Sequence, residues 1–340
     1  MSTAAKTLFS IVLLIVLIFA PAWAADQRHT ILAIQHQTFE PFSLSYQGFV
    51  EGIEKLGYKD KIKLEHFNAK GDLKALDQKI EDLSKSKDVD LIFSIGTQTT
   101  KRVKQHIKNI PFIFTDLADP VYSGIVSDWK SSGANYTGVE TPGYITLQIR
   151  MIHELAKFNS IGMIYLAGSP SHDAGVKQIK NLSKELGLKF VYEGFPLRDK
   201  NRKRYPKKLI QQRIQESLEK VLPQVEVLFI QISKTFEIHF PLFREALLKY
   251  QKLSVGEPIY IKRGIIMGIG RDKRVFGGQC AEYAVKILEG ANPSDLPMDI
   301  GVKFTIVVNL QAAVEVGYDP PVDLLGAADE VYQELEIEKP

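Results

Sequence analysis

Fourteen residues that follow short apolar segments of this chain are candidates for contacting a small solute. Their side chains offer amides, hydroxyls, carboxylates, an imidazole and an aromatic ring, and one glycine allows a tight turn before a helix. Such groups bond a polar ligand, and the first N–H groups of a helix attract carboxylate or phosphate groups. The candidates are Gln37, Thr38, Phe39, Gly96, Thr97, Gln98, Asp116, Asp119, Glu140, Ser169, Ser171, His172, Gln231 and Ser233.

The types and spacing of these residues favour binding over catalysis. Neither Asp116 nor Asp119 belongs to a set of nucleophile, base and orienting group, and no metal-ligand spacing surrounds them. The glycine-rich segments, among them residues 264–270, lack the fingerprint of a phosphate loop or a dinucleotide site. The sequence therefore predicts a non-enzymatic protein without a cofactor or a metal.

Several of the candidates also have an ordinary structural interpretation. Thr97 suits the N-cap of a helix, and Phe39 can pack on the helix that follows it. Asp116 can pair with a ligand amine or cap the next segment, whereas Asp119 directly precedes a proline and suits a turn. His172 can equally cap a helix or face solvent. These alternatives stay open at the level of sequence.

Composition excludes several kinds of partner and linkage. The chain has 43 Lys and Arg against 40 Asp and Glu, a near balance that gives no reason to expect a nucleic-acid partner. Cys280 is the only cysteine, so there is no intrachain disulfide, and its apolar neighbours predict a buried packing residue. A basic run at residues 198–208 is typical of a solvated loop, with contact to anionic lipid or a transporter as the alternative.

The candidates lie in a chain that alternates short apolar strands with amphipathic helices, the pattern of parallel sheets covered by helices. Strands are predicted at residues 31–34, 62–67, 89–95 and 110–115, and a similar series restarts at residue 161. We therefore expect an α/β protein of two Rossmann-like lobes with parallel sheets. The elements after residue 264 are too few for a third core, so we expect them to be shared between the lobes.

These patterns give a domain organisation. We predict a signal peptide at residues 1–24, one lobe at residues 26–141 plus 270–300, and a second lobe at residues 142–269 plus 301–335. Chain crossings between the lobes are expected near residues 140–143, 268–270 and 299–301.

The N-terminal segment has the layout of a cleavable signal peptide. Lys6 precedes an apolar run at residues 8–20, and Pro21 and Ala22-Trp23-Ala24 supply a helix break and small residues before Ala25. An uncleaved anchor is the alternative, but the run is shorter than the roughly 20 residues that span a bilayer. No cysteine lies near the cleavage point. We expect a periplasmic protein that is not lipid-anchored.

The mature chain resembles the substrate-binding proteins of ABC transporters, in the family with the type I periplasmic-binding-protein fold. The resemblance runs from about Ile31 to Val331 and depends on the shared order of short motifs. These motifs are Asn68-Ala69-Lys70-Gly71-Asp72, Ile95-Gly96-Thr97, Ile110-Pro111-Phe112-Ile113-Phe114, Ala118-Asp119-Pro120-Val121, Asn135-Tyr136-Thr137-Gly138-Val139, Lys286-Ile287-Leu288-Glu289-Gly290 and Val308-Asn309-Leu310-Gln311-Ala312-Ala313.

The resemblance implies a ligand cleft between two lobes joined by a three-segment hinge, and delivery of a small molecule to an ABC permease. An amino acid or a related organic compound is the ligand class it suggests, and a monomer suits the mechanism. One loop departs from the family pattern, because Lys234 follows Ser233 where an acidic residue is common. Lys234 indicates either a different ligand class, an amino acid with an additional anionic group, or a side chain that faces solvent.

Two other classes of function use similar lobes. A ligand-sensing module would report occupancy to a membrane receptor or sensor kinase, and an extracytoplasmic transferase would carry out chemistry between its lobes. The missing phosphate and dinucleotide fingerprints argue against the transferase.

Overall fold

The computed structural model describes residues 28–117, 119–121, 123–140, 144–201, 203–298 and 304–336. The predicted signal peptide lies outside these residues, as do most of the crossings expected at residues 140–143 and 299–301. Within the described ranges, no helix combines the length and the apolar character needed to cross a membrane.

The N-terminal lobe is built on a five-stranded sheet in the order β2-β1-β3-β4-β5, in which every pair of neighbours is parallel. All five residues of β3 are buried, as expected for a strand covered on both faces by helices. The strands are β1 (His29–Gln35), β2 (Ile62–Asn68), β3 (Leu91–Ile95), β4 (Phe112–Thr115) and β5 (Tyr136–Val139).

The C-terminal lobe has a seven-stranded sheet in the order β12-β11-β10-β9-β8-β6-β7. Its neighbours are parallel except for β10 and β11, which pair antiparallel. The strands are β6 (Ser160–Leu166), β7 (Lys189–Phe195), β8 (Val227–Ile230), β9 (Leu253–Gly256), β10 (Met267–Gly270), β11 (Thr305–Asn309) and β12 (Glu330–Tyr332).

The helices pack around these two sheets. The described helices are α1 (Glu40–Lys55), α2 (Leu73–Lys85), α3 (Thr97–His106), α4 (Tyr144–Ala156), α5 (Pro170–Leu186), α6 (Lys207–Val221), α7 (Lys234–Ile238), α8 (Phe240–Tyr250), α9 (Lys273–Leu288), α10 (Leu310–Glu315) and α11 (Val322–Ala327). Three short 3-10 helices, Leu222–Gln224, Pro258–Arg263 and Pro293–Asp295, complete the set.

Helix α9 belongs to the N-terminal lobe although it follows a strand of the C-terminal sheet. It packs closely along α1, and glycines make this approach possible. A Cβ atom at Gly48 would overlap the carbonyl group of Arg274, and one at Gly277 would overlap the carbonyl oxygen of Ser45. The C-terminal elements are therefore shared between the lobes, as the sequence predicts.

Along the described elements, the chain passes from one lobe to the other three times. The first leads from β5 to α4, the second passes through Arg271 and Asp272 between β10 and α9, and the third leads from the region of Met298 to β11. The backbone N–H of Glu140 donates to the carbonyl oxygen of Met298 at 3.0 Å, so the described residues that lead into the first and third connections are in contact. The prediction of two α/β lobes joined by a three-segment hinge is confirmed.

Candidate functional site

A cavity of about 290 Å³ lies between the two lobes, where the carboxyl ends of strands from both sheets meet. Residues after β1, β3 and β4 line it from the N-terminal lobe, and residues after β6, β8, β9 and β10 line it from the C-terminal lobe. Parallel α/β sheets bind ligands at these ends of their strands. The cavity is thus the natural place for a ligand.

The structure brings most of the sequence candidates to this cavity. The ten that line it are Gln37, Phe39, Thr97, Gln98, Asp116, Ser169, Ser171, His172, Gln231 and Ser233.

Four candidates lie near the cavity without lining it. The exposed Thr38 accepts a hydrogen bond from Asn68 Nδ2 at 3.0 Å. Gly96 has φ +89° at the start of α3 and faces the ring of Phe42, so it shapes the turn there. Asp119 takes part in a contact between the lobes, and Glu140 belongs to a charge cluster at the hinge end of the cavity. Both are described below.

Aromatic side chains of the N-terminal lobe form one wall of the cavity. Phe39 is buried at the N-cap of α1 and meets Phe42 edge to face, with 5.2 Å between ring centroids. His36 also meets Phe42 edge to face, at 5.8 Å. Burial, helped by the charge of Arg102, lowers the pKa of His36 to about 4. This wall is therefore uncharged at neutral pH.

Hydroxyl groups of the C-terminal lobe form the opposite wall. Ser169 and Ser171 stand at the start of α5 with their Oγ atoms 3.1 Å apart. Ser233 caps α7, because its Oγ accepts the N–H of Phe236 at 3.0 Å. Lys234 lines the cavity but is ion-paired with Glu237 at 2.9 Å.

His172 and Gln231 hold this wall in place. His172 Nδ1 accepts the backbone N–H of Leu166 at 3.2 Å, which fixes the ring proton on Nε2. Burial lowers the pKa of His172 to about 3, so the imidazole is neutral. Gln231 Nε2 donates to the carbonyl oxygen of Ser171 at 3.0 Å and so joins the end of β8 to the start of α5. Both residues position the hydroxyl wall.

At the hinge end of the cavity lies a buried cluster of charges that sequence reasoning missed except for Asp116 and Glu140. Lys273 Nζ lies 2.8 Å from Asp116 Oδ1, and Ser45 Oγ donates to Asp116 Oδ2 at 2.7 Å. Asp116 itself has φ +59°, a left-handed conformation that aspartate tolerates better than most residues. The contact from α9 thus anchors the end of β4.

Arg271 is the second cation of the cluster. Its guanidinium group stacks between the rings of Tyr144 and Phe276, 4.0 and 4.2 Å from their centroids, and Nη2 lies 3.4 Å from Glu140 Oε2. Glu140 also accepts the N–H of Leu117 at 2.6 Å. Among the described residues, Nε and Nη1 of Arg271 find no acceptor although they are buried.

Glu257 is the remaining carboxylate of the cluster. Tyr144 donates its hydroxyl proton to Glu257 Oε1 at 2.6 Å, and burial raises the pKa of Glu257. Gln148 of α4 connects strands β9 and β10, because its Nε2 donates to the carbonyl oxygens of Gly256 and Ile269. Glu257 and Arg271 therefore stand at the ends of the neighbouring parallel strands β9 and β10.

Comparison with solved structures shows which class of protein this fold and cleft define. A Streptococcus pneumoniae ABC domain in complex with L-Trp has TM-score 0.76 and 22% identity, covering 89% of this chain and 99% of that one. A glucose-galactose binding protein from Geobacillus stearothermophilus has TM-score 0.59 and 15% identity, covering 83% of this chain and 97% of that one. The two lobes have the type I periplasmic-binding-protein fold.

The chain belongs to the ABC transporter substrate binding protein family, which it matches over residues 33–332. A similar curated protein is the tyrosine-binding protein of Clostridioides difficile (strain R20291). It is 23% identical over 267 residues, which cover 77% of this chain and 73% of that protein. The resemblance inferred from the sequence motifs is confirmed.

Proposed function

We propose that this protein is an extracytoplasmic solute-binding protein that captures a small molecule between its lobes and delivers it to an ABC permease. The observation that carries this proposal is the cavity between the lobes, with Nε and Nη1 of Arg271 at its edge, buried and without an acceptor among the described residues. Buried polar groups without partners cost free energy, and a bound ligand relieves that cost. Family membership supports the permease as the partner.

The composition of the walls favours a ligand that is apolar at one end and polar at the other. Phe39, Phe42 and Tyr144 suit a ring or a branched apolar group, whereas Ser171 and Ser233 offer hydrogen bonds. One similar protein is named for tyrosine binding and one similar solved structure is a complex with L-Trp, which makes these two amino acids the first compounds to test.

The proposed setting is the periplasm, which the protein reaches through a cleavable signal peptide at residues 1–24 without a lipid anchor. The mature protein works as a monomer with lobes at residues 26–141 plus 270–300 and 142–269 plus 301–335. Binding alone is its task, with no turnover of the solute and no resident cofactor.

Thermal-shift screening of the mature protein against amino acids, sugars, nucleosides and organic acids tests the proposal. A tight ligand raises Tm by several degrees, because it binds only the folded state. Ser171→Trp, which fills the cavity from the start of α5, should abolish that shift, whereas Asn181→Trp on the exposed face of the same helix should preserve it. Absence of any ligand, or turnover of the ligand by the protein alone, would contradict the proposal.

A further inference from the structure

We propose that the solute is an organic compound with a net negative charge, and that Arg204 and Lys234 of the C-terminal lobe bind its carboxylate or phosphate group. Such a ligand occupies the cleft of the proposed function above, on which the inference rests. A solute of this class differs from a zwitterionic amino acid, whose charges cancel.

The charged side chains that line the cavity are mostly cations. Within the described part of the chain they are Arg204, Lys234, Arg271 and Lys273, against the carboxyl groups of Asp116 and Glu257. The two histidines of the lining, His36 and His172, are neutral at pH 7 because burial lowers their pKa values. The lining is therefore positive in total whether Glu257 is ionised or protonated.

The cations at the hinge end of the cavity already have carboxylate partners. Lys273 Nζ lies 2.8 Å from Asp116 Oδ1. Arg271 Nη2 lies 3.4 Å from Glu140 Oε2. The uncompensated positive charge must therefore lie elsewhere along the cavity.

Lys234, on the C-terminal lobe, has only a share of a carboxylate. Its Nζ lies 2.9 Å from Glu237 Oε1, and Arg263 Nη2 lies 3.7 Å from the same oxygen. One carboxylate thus serves two cations. An anionic group of a ligand would supply the second negative charge.

Arg204 has no carboxylate partner among the described residues. It is exposed and lines the cavity, so it lies where the cavity opens to solvent. Its Nη2 donates to Thr235 Oγ1 at 3.5 Å, a long hydrogen bond to a neutral group. Partial burial and the charge of Arg198 lower the pKa of Arg204, as expected for a cation that has positive neighbours and no anion beside it.

Arg204 and Lys234 meet at one part of the cavity wall. Arg204 contacts Thr235, which directly follows Lys234, and all three residues line the cavity together with Ser233. A guanidinium group, an ammonium group and two hydroxyls are the donors that carboxylate and phosphate oxygens accept most strongly. Because the wall of the N-terminal lobe is aromatic, the ligand class is a compound with an apolar or ring-bearing body and an anionic group.

The loop that carries Arg204 extends the positive charge beyond the cavity. Asp199, the one acidic residue in the basic run at residues 198–208, accepts the backbone N–H groups of Asn201 and Lys203 at 2.9 Å each. Its carboxylate therefore holds the turn of the loop. Lys200 and Lys203 are exposed. Charge of one sign beside a cleft attracts ligands of the opposite sign.

Matched compounds test the inference on the wild-type mature protein by calorimetry. Each set keeps the ring and changes the charge: 3-phenylpropanoate, 3-phenyl-1-propanol and L-phenylalanine, and the equivalent 4-hydroxyphenyl and indole sets, with phenyl phosphate against phenol for the phosphate group. We expect the anion to bind roughly ten- to a hundredfold more tightly than its alcohol or its amino acid, the value of a hydrogen bond between charged groups.

The net charge of the tightest ligand decides the outcome, whether it comes from these sets or from the thermal-shift screen. A zwitterionic or neutral solute that binds as tightly as the anions, or more tightly, overturns the inference and leaves the proposed function intact. No binding by any solute contradicts the proposed function itself.

Arg204→Gln and Lys234→Gln each remove one charge and keep a polar side chain. We expect each variant to bind the anion roughly tenfold more weakly and the matched alcohol as wild type does. Lys184→Gln, at the exposed far end of α5, is the control and should change neither affinity. The Tm without ligand verifies that each variant is folded. Unchanged anion affinity in both variants, or an equal loss for anion and alcohol, overturns the inference.

Discussion

Two histidines at the cavity illustrate how burial sets charge at the scale of single residues. His36 and His172 both line the cleft, and burial lowers their pKa values to about 4 and about 3. Neither ring is therefore an anion-binding cation at neutral pH. His36 packs against Phe42 and His172 accepts the N–H of Leu166, and neither ring adds charge to the site.

The buried histidine makes stability depend on pH in a testable way. The unfolded chain takes up a proton at His172 near pH 6.5, whereas the folded protein resists it until about pH 3. The stability that neutral His172 contributes is therefore fully present above pH 6.5, and it is lost as the pH drops toward 3. His172→Asn retains an acceptor for Leu166 N–H. In this variant, the drop in Tm on lowering the pH below 6.5 should be several degrees smaller than in wild type. His106→Asn at an exposed position is the control, and equal slopes in wild type and His172→Asn would refute this assignment.

Site residues could be predicted from the sequence where the end of a strand could be predicted. The rule that polar residues after a strand face a cleft led to Asp116, Ser171 and Gln231, all of which line the cavity. The same rule would have found Glu257 and Arg271, because they directly follow β9 and β10. Glu257 was missed because strand β9 was not predicted. The partners of Arg271 lie far away in sequence, and only the folded chain brings them together.

At the scale of elements, the contact between α1 and α9 decides how the C-terminal part of the chain joins the N-terminal lobe. Its glycines let the two helix backbones approach each other. Gly277→Ala should destabilise the protein by about 1–3 kcal/mol, because a new Cβ atom would overlap backbone of α1.

A glycine in open space provides the matched control for this substitution. Gly326 lies in α11, and no heavy atom of the described residues comes within 4 Å of a Cβ atom placed there, so Gly326→Ala should stabilise by about 0.5–1 kcal/mol. The midpoint of urea unfolding at constant m measures both effects. If Gly277→Ala proved as harmless as Gly326→Ala, the close packing of the helices would be contradicted.

Most of the elements could be predicted from hydrophobic periodicity, and the exceptions have physical reasons. Strand β5 has only four residues and contains Gly138, which leaves room for the ring of Phe114. Strand β9 is equally short, LSVG, with a serine among its buried residues. Short strands with small or polar residues carry too little alternation to be recognised. Their place is set by the neighbouring strands with which they pair.

At the scale of the whole molecule, contacts between the lobes hold the cleft. Gln178 Nε2 on α5 donates to Asp119 Oδ2 of the N-terminal lobe at 3.3 Å. Ile232 of the C-terminal lobe packs against the hydrophobic cores of both lobes. These contacts involve other residues than the hinge, at which Glu140 and Arg271 are in contact. Such an arrangement suits lobes that close around a ligand.

The distance between the lobes in the presence and absence of a ligand tests the central claim most directly. Cys280 is buried and is the only cysteine, so spin labels can be placed on introduced cysteines. Lys74→Cys with Lys203→Cys reports on the two lobes, and Lys74→Cys with Glu51→Cys is the control pair within one lobe. All three positions are exposed. With the ligand found by screening, pulsed electron resonance should show a shorter and narrower distance distribution for the inter-lobe pair and no change for the control. An unchanged inter-lobe distribution at saturating ligand would contradict capture of the solute between closing lobes.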